Sequence, residues 1–155
     1  MVKRVRVSAP GKIILSGEHA VVYGYPAILS AVNRRLFVEI EKGQGGVGVV
    51  PTEGTSWVRY AIERIKESLG RESLDGLRIK INSQFPIGCG MGSSAAFAVA
   101  ITAAVFKFVN YSWNLEKINQ IAYEIEKRQH GNPSGGDNTV SAYGGFLWYR
   151  KEAEG

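Results

Sequence analysis

From its first residues the chain alternates apolar and polar positions. Val5 and Val7 alternate with Arg4, Arg6 and Ser8, the period of two expected of a strand with one buried face. Lys12 to Leu15 reads as a second short strand, set off from the first by Pro10-Gly11. Gly17 to Pro26 is predicted as a loop. Leu36, Val38 and Ile40 then alternate with Phe37, Glu39 and Glu41, a half-buried strand. A flexible turn over Gly43–Gly48 leads to Val49-Val50, predicted as the returning strand of a hairpin. The period then changes to that of a helix. Trp57, Val58, Ala61, Ile62, Ile65 and Leu69 fall on one face, with Thr55 or Ser56 as its cap and Gly70 as its stop.

Leu77, Ile79 and Ile81 alternate with Arg78, Lys80 and Asn82, a strand that delivers the chain into a glycine-rich stretch. From Ser94 to about Val109 the residues are apolar on nearly every side, so this helix should be central and buried. A further helix runs from about Leu115 to His130, with Leu115, Ile118, Ile121, Ala122 and Ile125 as its stripe. A second glycine-rich loop, a short helix from Asp137 and a strand from Phe146 to Tyr149 follow. Strands come first and helices later, which predicts an α+β fold rather than a regularly alternating parallel one.

Composition changes this picture little. The chain has 155 residues, 45% hydrophobic and 21% charged, which suits one globular domain with a real core. Its single cysteine, Cys89, excludes an intrachain disulfide. No apolar run is long enough to span a bilayer, and Met1 to Ser8 lacks the apolar core of a signal peptide. The expected location is cytoplasmic, with no membrane partner. The net charge of +5 favours anionic partners. Nucleic acid is not expected among them, because the basic residues are scattered and not interleaved with aromatics.

Candidate chemistry sits in three loops. Pro86 to Ala96 reads P-I-G-C-G-M-G-S-S-A-A. Alternating glycines let backbone N–H groups approach an anion, and the helix that follows adds unpaired donors at the positive end of its dipole. The stretch matches neither a Walker A loop nor a dinucleotide fingerprint. Pro10 to Ala27 offers Lys12 at the mouth of a strand, with Glu18 and His19 beyond it. His130 to Gly145 contains Asp137 at a helix start. There it reads equally as an N-cap or as a carboxylate that orients or deprotonates an attacking hydroxyl. Glu126 reads either as an exposed partner in the Glu124–Arg128 charge pattern or as a magnesium ligand.

Taken in order, these three segments resemble the motifs of the GHMP kinase superfamily, most closely its mevalonate kinase branch. The resemblance implies a two-layer α+β fold, a mixed sheet packed against helices and related to a ribosomal-protein domain. Residues 1–155 would form the N-terminal, ATP-binding domain. It also implies roles. Gly88, Gly90, Gly92, Ser93 and Ser94 would cradle the triphosphate of ATP. Pro86, Ile87, Cys89, Met91, Ala95 and Ala96 complete that cofactor-binding segment, and Ser83 would contact the nucleotide. Ser94 and Glu126 would hold Mg2+. Asp137 would be the base or orienting carboxylate, and Lys12 would stabilise the transferring phosphoryl group. Lys12, Glu18, His19 and Asp137 would meet the acceptor. The implied reaction moves the γ-phosphoryl group of ATP to the 5-hydroxyl of mevalonate. Alternatives are an inactive kinase-like binding or regulatory module, or another superfamily member such as a phosphomevalonate or homoserine kinase. The family also carries a second domain with a third glycine-rich motif, which is not found here. The resemblance therefore implies either a fragment or half of a split kinase, and the expectation is the latter, with a separate polypeptide carrying that C-terminal domain as partner.

Overall fold

A computed structural model describes residues 3–50, 54–72, 74–86 and 88–151. Its spine is a pair of long antiparallel strands, β1 (Arg4–Ser16) and β2 (Ala27–Lys42). The two segments predicted on either side of Pro10-Gly11 are one strand. The register against β2 shifts between Pro10 and Lys12, so the punctuating dipeptide makes a bulge rather than an end. The expected loop from Gly17 contains one 3-10 turn, Ala20–Tyr23.

The two halves of β2 have different second neighbours. Leu36–Lys42 pairs antiparallel with β4 (Leu77–Ser83), and Ala27–Ser30 with β5 (Phe146–Tyr149). Between β2 and β4 in sequence lies β3 (Gly48–Val50). It does not return against β2 as a hairpin would. It pairs parallel with β4 at the sheet edge, giving the order β1-β2-β4-β3.

Four helices pack with this sheet: α1 (Thr55–Ser68), α2 (Ser93–Phe108), α3 (Leu115–His130) and α4 (Gly136–Tyr143). Helix α2 is the centre of the domain, touching β1, β2 and the other three helices. Its residues Ala95 to Phe106 are all buried, which explains why its sequence carries so little polarity. The one hydroxyl among them, Thr102, donates to the Ala98 carbonyl at 2.7 Å and so costs nothing in lost hydrogen bonding. Helix α1 buries Val58, Ala61, Ile62 and Ile65 as its pattern requires, but its cap is Gly54, not Thr55 or Ser56. Helix α3 starts where Asn114 accepts from the Lys117 amide at 2.9 Å. Among the described residues no helix is long and apolar enough to cross a membrane.

Candidate active site

The first element of the site is the bulge in β1. Pro10 has no N–H to offer the sheet ladder. Gly11 lies against the second loop, where an added Cβ would meet the Met91 carbonyl at 3.0 Å and the Phe85 ring at 3.2 Å. The shift in register turns the Lys12 amide out of the ladder, and it donates to the Met91 carbonyl at 2.9 Å. Strand and glycine-rich loop are thereby tied at the residue that carries the ammonium group.

Gly92 makes the second tie. It is the N-cap of α2, at φ 67, and an added Cβ there would sit 2.8 Å from Lys12 Cγ. The stem of Lys12 therefore runs across the start of α2 at a distance that only glycine allows. Within α2 the first internal donor to pair is the Ala96 amide, which bonds the Gly92 carbonyl at 2.9 Å. That leaves the Ser93, Ser94 and Ala95 amides as the opening turn, with no backbone partner among the described residues. Ala95 and Ala96 put their methyl groups into the core. Gly88, Cys89 and Gly90 are exposed, as is Pro86. The Gly88 amide donates to Ser93 Oγ at 3.4 Å. Ile87 lies outside the described residues.

Lys12 is 6% exposed and ends 3.0 Å from Asp137 Oδ2. Asp137 stands in the first turn of α4, whose N-cap is Gly135, so its carboxylate is not occupied in capping. Glu126, 3% exposed on α3, faces Ser94 Oγ. Ser94 Oγ also lies 2.9 Å from Gln129 Oε1. A hydroxyl has one proton and cannot donate to both oxygens at once. A protonated Glu126 would resolve this, and burial does push the Glu126 carboxyl above its ordinary range. The Ser94 hydrogen bond and the charges of His130 and Lys12 oppose that rise, and Asp137 adds to it. The exposed Glu124–Arg128 pattern does not involve Glu126: Glu124 pairs with Lys127, and Arg128 stacks over the Tyr60 ring.

Beside the opening turn of α2 is a cavity of about 460 Å³. Leu36, Trp57, Val58, Ile81 and Phe97 give it apolar walls, and Ser83, Ser93, Ser94 and Gln129 line it with polar groups. A flat heteroaromatic base fits such walls while its phosphate chain leaves along the serines. Trp57, Phe97 and Gln129 were not among the expected site residues. Their signal is a weak one, aromatic and amide groups at the margins of amphipathic helices. Ser83 lines the cavity as expected, although its hydroxyl already donates to the Phe85 carbonyl at 2.6 Å. Glu18 and His19 lie in the exposed turn after β1 with no side-chain hydrogen bond among the described residues. His19 holds φ 62, a strained value for a non-glycine residue.

No group of three or more His, Cys, Asp or Glu able to hold a metal occurs among the described residues. Magnesium does not need one. It binds through one or two protein oxygens with water and phosphate completing the shell. Ser94 Oγ and the Glu126 carboxylate offer two oxygens in contact, and a cation between them would offset the burial that now disfavours ionised Glu126.

That cost has a measurable sign. A carboxyl whose folded pKa lies above its unfolded value binds more protons when folded. Its destabilising effect is absent below the ordinary value of 4.5 and grows as pH rises until the folded carboxyl ionises. Glu126→Gln is expected to escape the effect. Its melting temperature, relative to the parent, should rise from pH 4.5 towards neutrality in metal-free buffer. A difference that stays flat with pH would show that burial of Glu126 carries no such cost.

A glycine-rich turn opening a buried helix, the Lys12–Asp137 ion pair at its mouth and an apolar cavity alongside meet at the start of α2. The sequence profile of the GHMP kinases N terminal domain matches residues 56–145, and the chain belongs to that family. It is 38% identical to the mevalonate kinase of Pyrococcus abyssi over 97% of its own length and 52% of the relative. The crystal structure of the Methanococcus jannaschii mevalonate kinase superposes with a TM-score of 0.87 at 29% identity, covering 96% of this chain and 54% of that one. That of the L. major enzyme, in complex with R-mevalonate, gives 0.81 at 29% identity, covering 98% and 50%. The chain thus spans about half the length of the curated relatives and solved structures it matches.

Proposed function

We propose that this domain binds Mg-ATP and, completed by the region that its relatives carry outside the match, transfers the γ-phosphoryl group to the 5-hydroxyl of mevalonate. The observation that carries the proposal is the Lys12–Asp137 contact of 3.0 Å, made where the Lys12 stem crosses the start of α2. It joins the acceptor chemistry to the phosphate site.

In this reading the base occupies the cavity that Trp57 and Phe97 help to wall. The triphosphate runs over the open amides and hydroxyls of Ser93 and Ser94, where a helix N-terminus favours negative charge. Ser94 and Glu126 would hold magnesium, which would supply charge neutralisation of the phosphates. Asp137 accepts the proton of the substrate hydroxyl as the new oxygen–phosphorus bond forms. The bond from the γ-phosphorus to the bridging oxygen breaks, and ADP leaves. Lys12 faces the negative charge that develops during transfer. Phosphoryl transfer asks for little more than such placement and charge stabilisation.

Binding and turnover are separable tests. Mg-ATP should raise the melting temperature of the chain alone. When the complementary half of a related mevalonate kinase is supplied, ADP release should depend on R-mevalonate and exceed that with homoserine or phosphomevalonate by at least about tenfold, the margin of a pocket built around one acceptor's polar groups. Preference for another acceptor would reassign the substrate. No acceptor-dependent ADP release from the complemented protein would reject the proposal.

A further inference from the structure

We infer that Tyr149 is a positioning residue for Asp137, acting through the turn Ser134–Gly136. The inference rests on the phosphoryl-transfer reading above for its catalytic consequence, and on geometry for the rest.

Tyr149 is the last residue of β5 and packs with the small apolar cluster of Leu29 and Val140. Its phenol donates to the Ser134 carbonyl at 2.6 Å. The ring then lies over the next two residues. A Cβ on Gly135 would come 2.7 Å from the phenol oxygen, and one on Gly136 would come 3.2 Å from the ring. Both residues lack side chains where the ring needs the space. Gly135 also holds φ +87, and as the N-cap of α4 it sets the direction in which that helix leaves. Asp137 follows two residues later.

A second ring meets the turn at the same position. Tyr123 of α3 lies 3.4 Å from the same Cβ position on Gly135, and its hydroxyl donates to the Pro133 carbonyl at 3.3 Å. Burial, with Tyr123 as a lesser cause, pushes the Tyr149 phenol up, so it remains a donor at neutral pH. Residues 131–136 include three glycines, and such a stretch has wide conformational freedom by itself. A carboxylate that must meet both Lys12 and a substrate hydroxyl tolerates little of that freedom, since misplacement by about 1 Å can cost on the order of a hundredfold. No hydrogen bond joins Tyr149 to Lys12 or Asp137 among the described residues, so its effect passes through the turn.

Tyr149→Phe keeps the ring and removes only the hydroxyl. Two readouts judge it. On the chain alone, amide hydrogen exchange in 134–138 should accelerate about tenfold, the size expected for one lost hydrogen bond, with α2 and α3 unchanged. Tyr123→Phe should give a smaller change in the same segment. With the complementary half supplied, kcat should fall about tenfold and KM for ATP stay within about twofold. A purely structural role would lower the melting temperature and leave kcat per folded molecule alone. Parent-like kcat in an active complemented enzyme overturns the positioning role. If the parent transfers phosphate to no acceptor, the functional reading fails separately, and unchanged exchange in 134–138 would still overturn the clamp.

Discussion

Asp137→Asn is expected to lower turnover of the complemented enzyme by about a thousandfold, within the range for loss of a positioned acid–base group. ATP affinity should stay within about twofold. The amide has the volume of the carboxylate and can still accept a hydrogen bond, so the first turn of α4 keeps its packing. What is lost is the charge that faces Lys12 at 3.0 Å and, in the proposed mechanism, the group that receives the substrate proton. The nucleotide site should not register the change, because its cavity is lined from α1, α2, β2, β4 and the end of α3, not from α4. Single-turnover kinetics and calorimetric titration of Mg-ATP measure the two quantities independently. Near-normal turnover in the variant would remove Asp137 from the chemistry. A fall in ATP affinity equal to the fall in rate would place it at the nucleotide instead.

The parts of this site that were legible in the sequence are those where local chemistry decides the structure. Glycine at alternate positions before an all-apolar helix announces both the turn and its burial, and α2 begins at Ser93, one residue before the Ser94 start that the pattern predicted. The α3 boundaries, Leu115–His130, follow from a continuous apolar stripe, and the structure adds the Asn114 cap before it. The misreadings concern partners, which periodicity does not encode. Val49-Val50 has the look of a returning hairpin strand, yet its partner is β4, reached only after α1. Pro10-Gly11 has the look of a strand end, yet the length of β2 holds both sides in one ladder. Glu126 shows the same limit within the site. Its place within the Glu124–Arg128 charge pattern suggests a solvated helix face, and only the packing of α3 on α2 places it out of solvent beside Ser94. The cavity walls were invisible for that reason too: Trp57 and Phe97 lie on different helices and meet at a ring separation of 6.4 Å.

Lys12→Met tests the other half of the ion pair and separates electrostatics from packing. Methionine is unbranched and apolar, so it can follow the path of the lysine stem across Gly92, where the available space is set by Lys12 Cγ and Cε lying 2.8 and 2.9 Å from the Cβ position. The backbone bond from residue 12 to the Met91 carbonyl does not involve the side chain and should persist. The fold is therefore expected to survive, with a melting temperature near that of the parent. The charge is another matter. An ammonium that is 6% exposed acts where water screens little, and removal of one preorganised positive group at a transferring centre costs on the order of a hundredfold to a thousandfold in kcat. The loss should appear in kcat rather than in KM for ATP, because the proposed binding mode rests the ground-state phosphates on the opening turn of α2. A second effect follows from the company Lys12 keeps. Its charge opposes the rise in the Glu126 carboxyl, and Asp137 reinforces that rise. Without Lys12 the carboxyl of Glu126 should be pushed up further, so a higher magnesium concentration should be needed to saturate nucleotide binding at slightly acid pH. A variant with parent-like kcat would show that Lys12 serves only to anchor β1 to the glycine-rich loop.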